Sequence, residues 1–239
     1  MKAPESPPHD CPLCPRLAAF RQANRQKYPD WFNGPVPSFG PLDARLLIAG
    51  LAPGLQGANR TGRPFTGDWA GDLLYATLLK HGLARGAYRE RADDGFTLVN
   101  CRIANAVRCV PPQNKPEPLE IRTCRQFLMS EMKVLPRIKA ILALGKIAHD
   151  SVCDALKIRK ATHPFRHGAL YENVGEARMF TLVSSYHCSR YNTNTGVLTT
   201  QMFEDVVEVA KKAAGIGQSG ITPRTGPPCS RGKGWPSHS

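Results

Sequence analysis

Residues 44–68 join a short apolar run to a glycine-rich loop: Ala44-Arg-Leu-Leu-Ile-Ala49, then Gly50-Leu-Ala-Pro-Gly-Leu-Gln-Gly-Ala-Asn-Arg-Thr-Gly-Arg-Pro-Phe-Thr-Gly-Asp68. An apolar run that ends in Gly/Pro-rich turn residues predicts a buried strand that opens into a loop. In open α/β sheets, ligands bind just outside the carboxyl ends of strands. Glycines allow backbone amides to approach a ligand closely, and the two arginines of the loop suit phosphate groups. The loop is therefore predicted to form part of a ligand site.

The rest of the chain alternates between strand and helix patterns. Short apolar runs bounded by turn residues predict four strands, at about 45–49, 97–103, 138–144 and 179–184. Helical periodicity is found between them, at about 71–82, 117–134, 145–157 and 199–214. This alternation predicts an α/β fold, a three-layer sandwich in which helices cover both faces of a central, mostly parallel, four-stranded sheet.

Composition limits the class of protein further. A chain of 239 residues suits one domain, and no apolar run is long enough for a membrane helix. The amino-terminal residues are rich in proline and lack a charged-then-apolar leader, so we expect a cytosolic protein. We expect residues 1–214 to form the domain, including an amino-terminal metal-binding segment, and the Gly/Ser/Pro-rich residues 215–239 to form a disordered basic tail.

The net charge points to a polyanionic partner. The chain has 32 Lys and Arg against 19 Asp and Glu, a formal charge of +13. Such a surplus most often serves nucleic-acid binding, although a basic proteome or a basic tail has the same effect on the total. Three basic residues of the tail contribute to it, but most of the surplus lies elsewhere in the chain.

Four of the eight cysteines have the spacing of metal ligands. Cys11 and Cys14 form a C-x-x-C pair, which lets two thiolates meet one metal centre. Cys109 precedes a Pro-Pro turn and Cys124 lies on the helix predicted after it. Four thiolates suit zinc or a [4Fe–4S] cluster, and spacing does not choose between the two. Of the others, Cys101 and Cys153 lie in apolar patterns and are predicted core residues, and Cys229 lies in the tail.

Four blocks of sequence carry a resemblance to a known family: Cys11-Pro-Leu-Cys14, Gly50 to Asp68, Ala106-Val-Arg-Cys-Val-Pro-Pro-Gln-Asn-Lys-Pro116 and Ser185-Tyr-His-Cys-Ser-Arg-Tyr-Asn-Thr-Asn-Thr-Gly196. In these blocks, and over about residues 11–214 as a whole, the chain resembles the family-5 uracil-DNA glycosylases, an iron–sulfur group related to family 4. The resemblance implies the uracil-DNA glycosylase fold and a structural [4Fe–4S] cluster held by Cys11, Cys14, Cys109 and Cys124. The cluster would hold the amino-terminal segment and the 109–124 loop as a surface that faces DNA.

The resemblance also implies an activity, the hydrolysis of the N-glycosidic bond of uracil in DNA to leave an abasic site. The enzyme would flip the damaged nucleotide out of single- or double-stranded DNA, and we expect it to act as a monomer in the bacterial cytosol. One alternative is a glycosylase that acts mainly on hypoxanthine or xanthine. Another is a non-catalytic iron–sulfur or zinc module that binds nucleic acid, which would leave Asp68 and His187 without a role.

Three side chains are the predicted catalytic groups. Asp68, the one carboxylate of the first loop, would position or deprotonate water, and it is also placed to cap the helix that starts near Gly71. Asn114 resembles a family position implicated in catalysis and would hold a water or the base; otherwise it is a turn residue. His187 follows a predicted strand and would donate a hydrogen bond to the leaving base as a neutral imidazole, a core histidine being the alternative.

The loop after the first strand is predicted to bind the flipped base. Phe65 would stack on it, a contact worth roughly 1–3 kcal/mol. The backbone amides from Gly50 through Leu51 to Gly54 would bind the base edge without side chains. Relatives carry a polar, water-activating residue in the Gly-x-x-Pro turn, whereas this chain has only Leu51 and Ala52 there. That departure leaves the activation of water to Asp68 and Asn114.

Asn105 is the predicted reader of the base. It stands where uracil-specific relatives elsewhere in the superfamily place an asparagine that contacts the uracil edge. An amide donates to O4 and accepts from N3–H of uracil, and it mismatches cytosine at both atoms. Uracil is therefore predicted to be preferred over hypoxanthine and xanthine.

The segment from Ser189 to Gly196 is predicted to be a loop that enters the minor groove and fills the gap left by the flipped base. Arg190 and Tyr191 are its wedge candidates on grounds of size, with Ser189 beside them. Cys188 stands where the family commonly has proline. The loop thus lacks the fixed φ angle that proline would give it.

Overall fold

The fold is built on five strands of one sheet. A computed structural model describes residues 2–217, with strands β1 (Leu46–Gly50), β2 (Ala84–Arg85), β3 (Thr97–Leu98), β4 (Cys101–Asn105), β5 (Ala140–Leu144), β6 (Leu170–Val174) and β7 (Phe180–Ser185). The main sheet has the order β4-β1-β5-β7-β6, while β2 pairs only with β3. Strands β4, β1, β5 and β7 are parallel, and β6 runs antiparallel to β7 at the edge.

The predicted α/β sandwich is confirmed, but the sheet has five strands instead of four. The four predicted strands are β1, β4, β5 and β7, and the run predicted at 97–103 divides into β3 and β4. The additional strand, β6, has the sequence Leu-Tyr-Glu-Asn-Val and buries only Val174 fully. A strand on an exposed edge needs no apolar run, so its sequence carried no strand signal.

Helices cover both faces of the sheet. They are α1 (Pro15–Lys27), α2 (Ala58–Thr61), α3 (Trp69–Lys80), α4 (Pro118–Val134), α5 (Lys146–Ala155), α6 (Arg190–Asn194) and α7 (Thr200–Ala213), with a one-turn 3₁₀ helix at Pro112–Asn114. Leu46 and Ile48 of β1 pack in the core shared by α3 and α7, and Leu47 and Ala49 pack in the core shared by α4 and α5. Successive side chains of a strand point to opposite faces, which produces the three layers.

The cores bear on two further expectations. Cys101 and Cys153 are fully buried among apolar side chains, as predicted. The tail was predicted to begin at Gly215, but Ile216 packs in the core beside α7 and Arg45 donates a hydrogen bond to the Gly215 carbonyl. The remainder of the predicted tail, with Cys229, lies outside the described residues.

The strand order creates a crevice at the carboxyl end of β1. From β1 the chain continues to β4 on one side and then returns to β5 on the other side. Loops that leave neighbouring strands in opposite directions open a crevice between them, the usual ligand site of open α/β sheets. Among the described helices, none is both long and apolar enough to cross a membrane.

Candidate active site and thiol cavity

A cavity of about 320 Å³ lies at the carboxyl ends of β1, β4 and β7. All three predicted catalytic side chains line it, and so do four of the five predicted base-binding residues. The lining consists of Leu51, Ala52, Pro53, Gly54, Ala58, Phe65, Asp68, Ala70, Asn105, Asn114, His187 and Ser189. The sequence-based site residues therefore come together in space, although they come from three separate segments of the chain.

The floor of the cavity is built on Gly50, the fifth predicted base-binding residue. Gly50 ends β1 and lies in register with Asn105, which ends β4. A Cβ at Gly50 would contact the Asn105 Oδ1 atom and would come within 2.8 Å of the Phe65 ring. Only glycine thus lets the ring and the amide meet over the end of the strand.

Asn105 presents an unsatisfied acceptor. Its side chain is 3% exposed, and its Oδ1 has no hydrogen-bond partner among the described residues. A buried acceptor left without a partner costs about 1–3 kcal/mol. The N3–H of a uracil base would supply the missing donor.

We expect Gly50→Ala to disrupt base binding more than folding. The added methyl group must displace the Phe65 ring or the Asn105 amide, because both lie closer than a Cβ tolerates. The expected result is at least a tenfold increase in KM for uracil-containing DNA, equivalent to about 1.4 kcal/mol of lost binding, with a cooperative thermal transition retained. Steady-state kinetics and thermal melting check this, and an unchanged KM would contradict the assigned role of Gly50.

Asp68 caps helix α3 and lines the cavity at the same time. One carboxylate oxygen accepts a hydrogen bond of 3.0 Å from the Gly71 amide, as the capping alternative predicted. The other oxygen lies so close to Gly54 and Gly57 that a Cβ at either position would crowd it. Burial raises the pKa of Asp68, backbone amides oppose the shift and nearby Glu90 adds to it. The capping bond fixes a carboxylate whose second oxygen remains for water.

His187 and Asn114 complete the wall. His187 lies two residues after the end of β7, and its ring is inclined by 27° to that of Phe65 with centroids 6.0 Å apart. Burial lowers the pKa of His187, so the imidazole is neutral at pH 7 and retains one N–H donor. Asn114 has a left-handed backbone (φ +57°) at the end of the 3₁₀ helix, and its side chain is exposed at the mouth of the cavity. Asn114 therefore is a turn residue and also lines the cavity, so the two alternatives considered for it are compatible.

The loop that carries Phe65 is clamped by Arg63, a role that sequence reasoning missed. Arg63 is 4% exposed and donates hydrogen bonds of 2.7 and 2.8 Å to both oxygens of Asp94. Its Nε also donates to Thr66 Oγ1. The rings of four aromatic residues surround its guanidinium with centroids 5.2–5.7 Å away: Phe39, Tyr75, Tyr88 and Phe96. Arg63 is therefore unavailable for phosphate, contrary to the expectation for the loop's arginines.

The predicted wedge loop contains a short helix instead. Residues Arg190–Asn194 form α6, and the Ser189 side chain caps it by accepting from the Asn192 amide. No apolar stripe marked a helix here, because all five residues are polar or aromatic. Ser189 lines the cavity, whereas Arg190 and Tyr191 lie on the exposed surface beside it.

The four predicted ligand cysteines line a second, narrow cavity. Cys11 and Cys14 reach it from the segment before α1, Cys109 from the chain after β4, and Cys124 from α4. Burial raises the pKa of Cys109 to about 11 and that of Cys124 to about 12. Two N–H groups point at sulfur: Arg21 Nη1 lies 3.5 Å from Cys109 Sγ, and the Arg108 amide lies 3.3 Å from Cys124 Sγ.

The thiols share the cavity without being gathered around one point. Within residues 2–217, no group of three or more His, Cys, Asp or Glu side chains is arranged to hold a metal ion. A single Zn²⁺ with Zn–S bonds of about 2.3 Å would require sulfur atoms about 3.8 Å apart. A [4Fe–4S] cluster binds one thiolate at each of four separate irons, so a set of four cysteine thiols is chemically suited to it.

The fold, the crevice and its polar side chains define a class of enzymes. A family model of the Uracil DNA glycosylase superfamily matches residues 37–211, and the chain belongs to that superfamily. It is similar to proteins named type-5 uracil-DNA glycosylase, with 45% identity to that of Thermus thermophilus (86% of this chain, 94% of the relative). Identity is 41% to that of Mycobacterium bovis (86% and 79%) and 38% to that of Pyrobaculum aerophilum (86% and 90%). The resemblance seen in the four sequence blocks is confirmed.

Proposed function

We propose that this protein excises uracil from DNA by hydrolysing the N-glycosidic bond, leaving an abasic site. The observation that carries the proposal is the convergence of Asp68, Asn105 and His187, with Phe65, on one cavity that is large enough to hold a base. The names of the three relatives given above agree with this proposal, since each is called a type-5 uracil-DNA glycosylase. A module that only binds nucleic acid would have no use for a carboxylate, an amide and an imidazole that line the same cavity.

Each side chain has a separate task in the proposed reaction. Phe65 stacks on the flipped uracil, and Asn105 accepts from N3–H and donates to O4. As the glycosidic bond breaks, negative charge develops on the base, and the neutral His187 imidazole donates a hydrogen bond to it. Asp68 stabilises the positive charge on the sugar and orients or deprotonates the water that attacks C1′.

DNA is the proposed partner because the substrate base must be taken from a polyanion. The charge of +13 provides phosphate contacts that offset the cost of flipping, a few kcal/mol.

The activity is tested with a labelled oligonucleotide that contains one uracil. Incubation with the purified protein followed by alkali is expected to break the strand at that position, since abasic sites are alkali-labile. The same oligonucleotide with thymine in place of uracil is the control. An intact uracil strand after alkali would contradict the proposed function.

Base preference is predicted to depend on Asn105. We expect release of uracil to exceed release of hypoxanthine and xanthine, and Asn105→Ala to lower uracil release by about 10²-fold or more, because a pocket built to hydrogen-bond a group discriminates strongly against its loss. Hypoxanthine release should change much less, so that the ratio of the two rates falls. Single-turnover rates on matched oligonucleotides measure this ratio. Comparable rates for all three bases in the wild-type protein would contradict the prediction.

We propose further that Cys11, Cys14, Cys109 and Cys124 hold a [4Fe–4S] cluster. Its support is the single cavity lined by four thiols from three chain segments, with N–H donors directed at two of them. When bound, such a cluster would cross-link the amino-terminal segment to α4 and to the chain between Asn105 and Asn114. Iron analysis and absorbance near about 400 nm distinguish the cluster from zinc, which is colourless.

A further inference from the structure

We propose that Trp69 anchors helix α6 beside the active site, so that Tyr191, and not Arg190, is the side chain that enters the duplex. This inference rests on the proposed function and deepens it. It concerns the surface next to the cavity, where the predicted wedge residues lie. Trp69 is a positioning residue in this proposal, because it acts through α6 without contact with the base.

Helix α6 requires support from outside itself. It has only five residues, and isolated helices shorter than about 12 residues are marginal in water. Trp69 provides a direct tie, since its indole Nε1 donates a hydrogen bond of 2.9 Å to Thr193 Oγ1. The indole is 48% exposed, which is unusual for a tryptophan whose only role is packing.

The same indole holds Arg190. The Arg190 guanidinium lies over the Trp69 ring, 5.6 Å from its centroid, in a cation–π contact. An arginine stacked on a neighbouring ring is already engaged and would have to leave that ring to enter DNA. The contact therefore favours Tyr191 over Arg190 as the wedge, because Arg190 would lose about 0.5–1 kcal/mol on leaving the ring.

Tyr191 is left as the side chain that projects. It is 74% exposed, the largest exposed fraction among the large hydrophobic side chains of the described residues. Proteins that open the minor groove insert apolar wedges between base steps, and the aromatic ring of Tyr191 provides such an apolar face. The tyrosine ring can thus occupy the space vacated by a flipped nucleotide.

The anchor links the wedge to the catalytic groups. Trp69 directly follows Asp68 at the start of α3, and on the other side of α6 the Asn192 side chain donates a hydrogen bond of 2.8 Å to the His187 carbonyl. The helix is tied to both catalytic segments. Its distance from the cavity is set by the same residues that hold the carboxylate and the imidazole.

The test compares uracil release from two DNA substrates. A wedge acts only where a base stack must be opened, so loss of its anchor should matter for a duplex and not for a short single strand. We expect Trp69→Ala to lower the single-turnover rate on duplex DNA about tenfold while the rate on a short uracil-containing single strand stays within about twofold. Thr193→Val removes the acceptor of the indole N–H, together with the hydrogen bond that Thr193 Oγ1 donates to the Ser189 or Arg190 carbonyl, and should show the same selectivity with a smaller loss.

Matched variants exclude a general loss of folding. Trp69→Phe keeps a ring for Arg190 but lacks the N–H donor, and Trp31→Phe makes the same change at a tryptophan that stacks on Tyr28 far along the chain. Of these two variants, only Trp69→Phe should lower the rate of uracil release from duplex DNA. Tyr191→Ala should reproduce the duplex defect, and combining it with Trp69→Ala should add little, because both act through one element.

Two results would overturn the proposal. If Trp69→Ala lowered the rate of uracil release equally on duplex and single-stranded DNA, its effect would act through Asp68 and not through the wedge. If Tyr191→Ala kept full activity on duplex DNA, Tyr191 would not be the wedge. A wild-type protein that releases uracil from neither substrate would instead contradict the proposed function. Hydrogen exchange of the α6 amides in the free protein then still tests the anchor, with faster exchange expected in Trp69→Phe and Thr193→Val than in the wild type.

Discussion

Replacement of Asp68 by asparagine is expected to lower the single-turnover rate of uracil release by about 10²–10⁴-fold, the usual contribution of a positioned general base. Asparagine also caps helices well, so the hydrogen bond to the Gly71 amide should survive. Asp68→Asn should therefore leave the melting temperature nearly unchanged. Asp68→Ala loses the cap as well, and should also cost about 1 kcal/mol in the free energy of unfolding.

The pH profile gives an independent check on the same carboxylate. Burial disfavours the charged form and raises the pKa of Asp68 above its ordinary value of 3.8. The reaction requires the ionised form, so the rate should fall as the pH falls through this raised pKa, and this acid limb should be absent in Asp68→Asn. Asp72→Asn is the matched control, because Asp72 lies one turn along α3 and does not line the cavity. An Asp68→Asn protein with the wild-type rate would refute the role of the carboxylate.

Loss of one cluster ligand is expected to have the second large effect. Cys124→Ala should abolish the absorbance near about 400 nm and lower the melting temperature by about 10 °C or more, because a tightly bound group that stabilises only the folded state contributes several kcal/mol. Iron content, absorbance and thermal melting measure the change. Uracil release should fall with it, since Asn105 and Asn114 flank Cys109 on one continuous segment.

Cys153→Ala is the control for this substitution. Like Cys124, Cys153 is buried, and its replacement by alanine also removes one sulfur atom. Cys153 packs in the core between the sheet and α5, however, and does not line the thiol cavity. It should cost about 1 kcal/mol and leave the colour of the protein intact. Full iron content in Cys124→Ala would rule this cysteine out as a ligand.

The parts of the fold that sequence reasoning predicted are those that bury apolar surface. Strands β1, β4, β5 and β7 are almost entirely buried and read as short apolar runs, and α3 and α7 show a helical stripe. Strand β6 and helix α6 were missed because both are largely exposed. Strand β6 forms through backbone pairing with β7, and helix α6 is stabilised by side-chain caps and anchors. Neither kind of interaction requires a periodic apolar pattern in the sequence.

The same distinction applies to the site. Asp68 and His187 were found because they lie in segments that follow predicted strands, and strand ends meet at one edge of a parallel sheet. Asn105 was found through the family resemblance. The ion pair between Arg63 and Asp94 joins residues 31 positions apart, and one sequence contains no signal that links them. Trp69 gave a weak signal, an aromatic residue directly after the candidate carboxylate, whose meaning depends on where α6 lies.

The clamp around Arg63 has a consequence for affinity. Because the ion pair with Asp94 and the four aromatic rings hold the loop in place, the Phe65 ring stands in its working position, with its left-handed backbone (φ +52°), before any base arrives. The conformational entropy of that loop is lost when the chain folds, and not when the base enters. A flipped uracil therefore binds to a preorganised surface. The free energy of its stacking on Phe65 is then almost entirely available to offset the cost of unstacking the base from DNA.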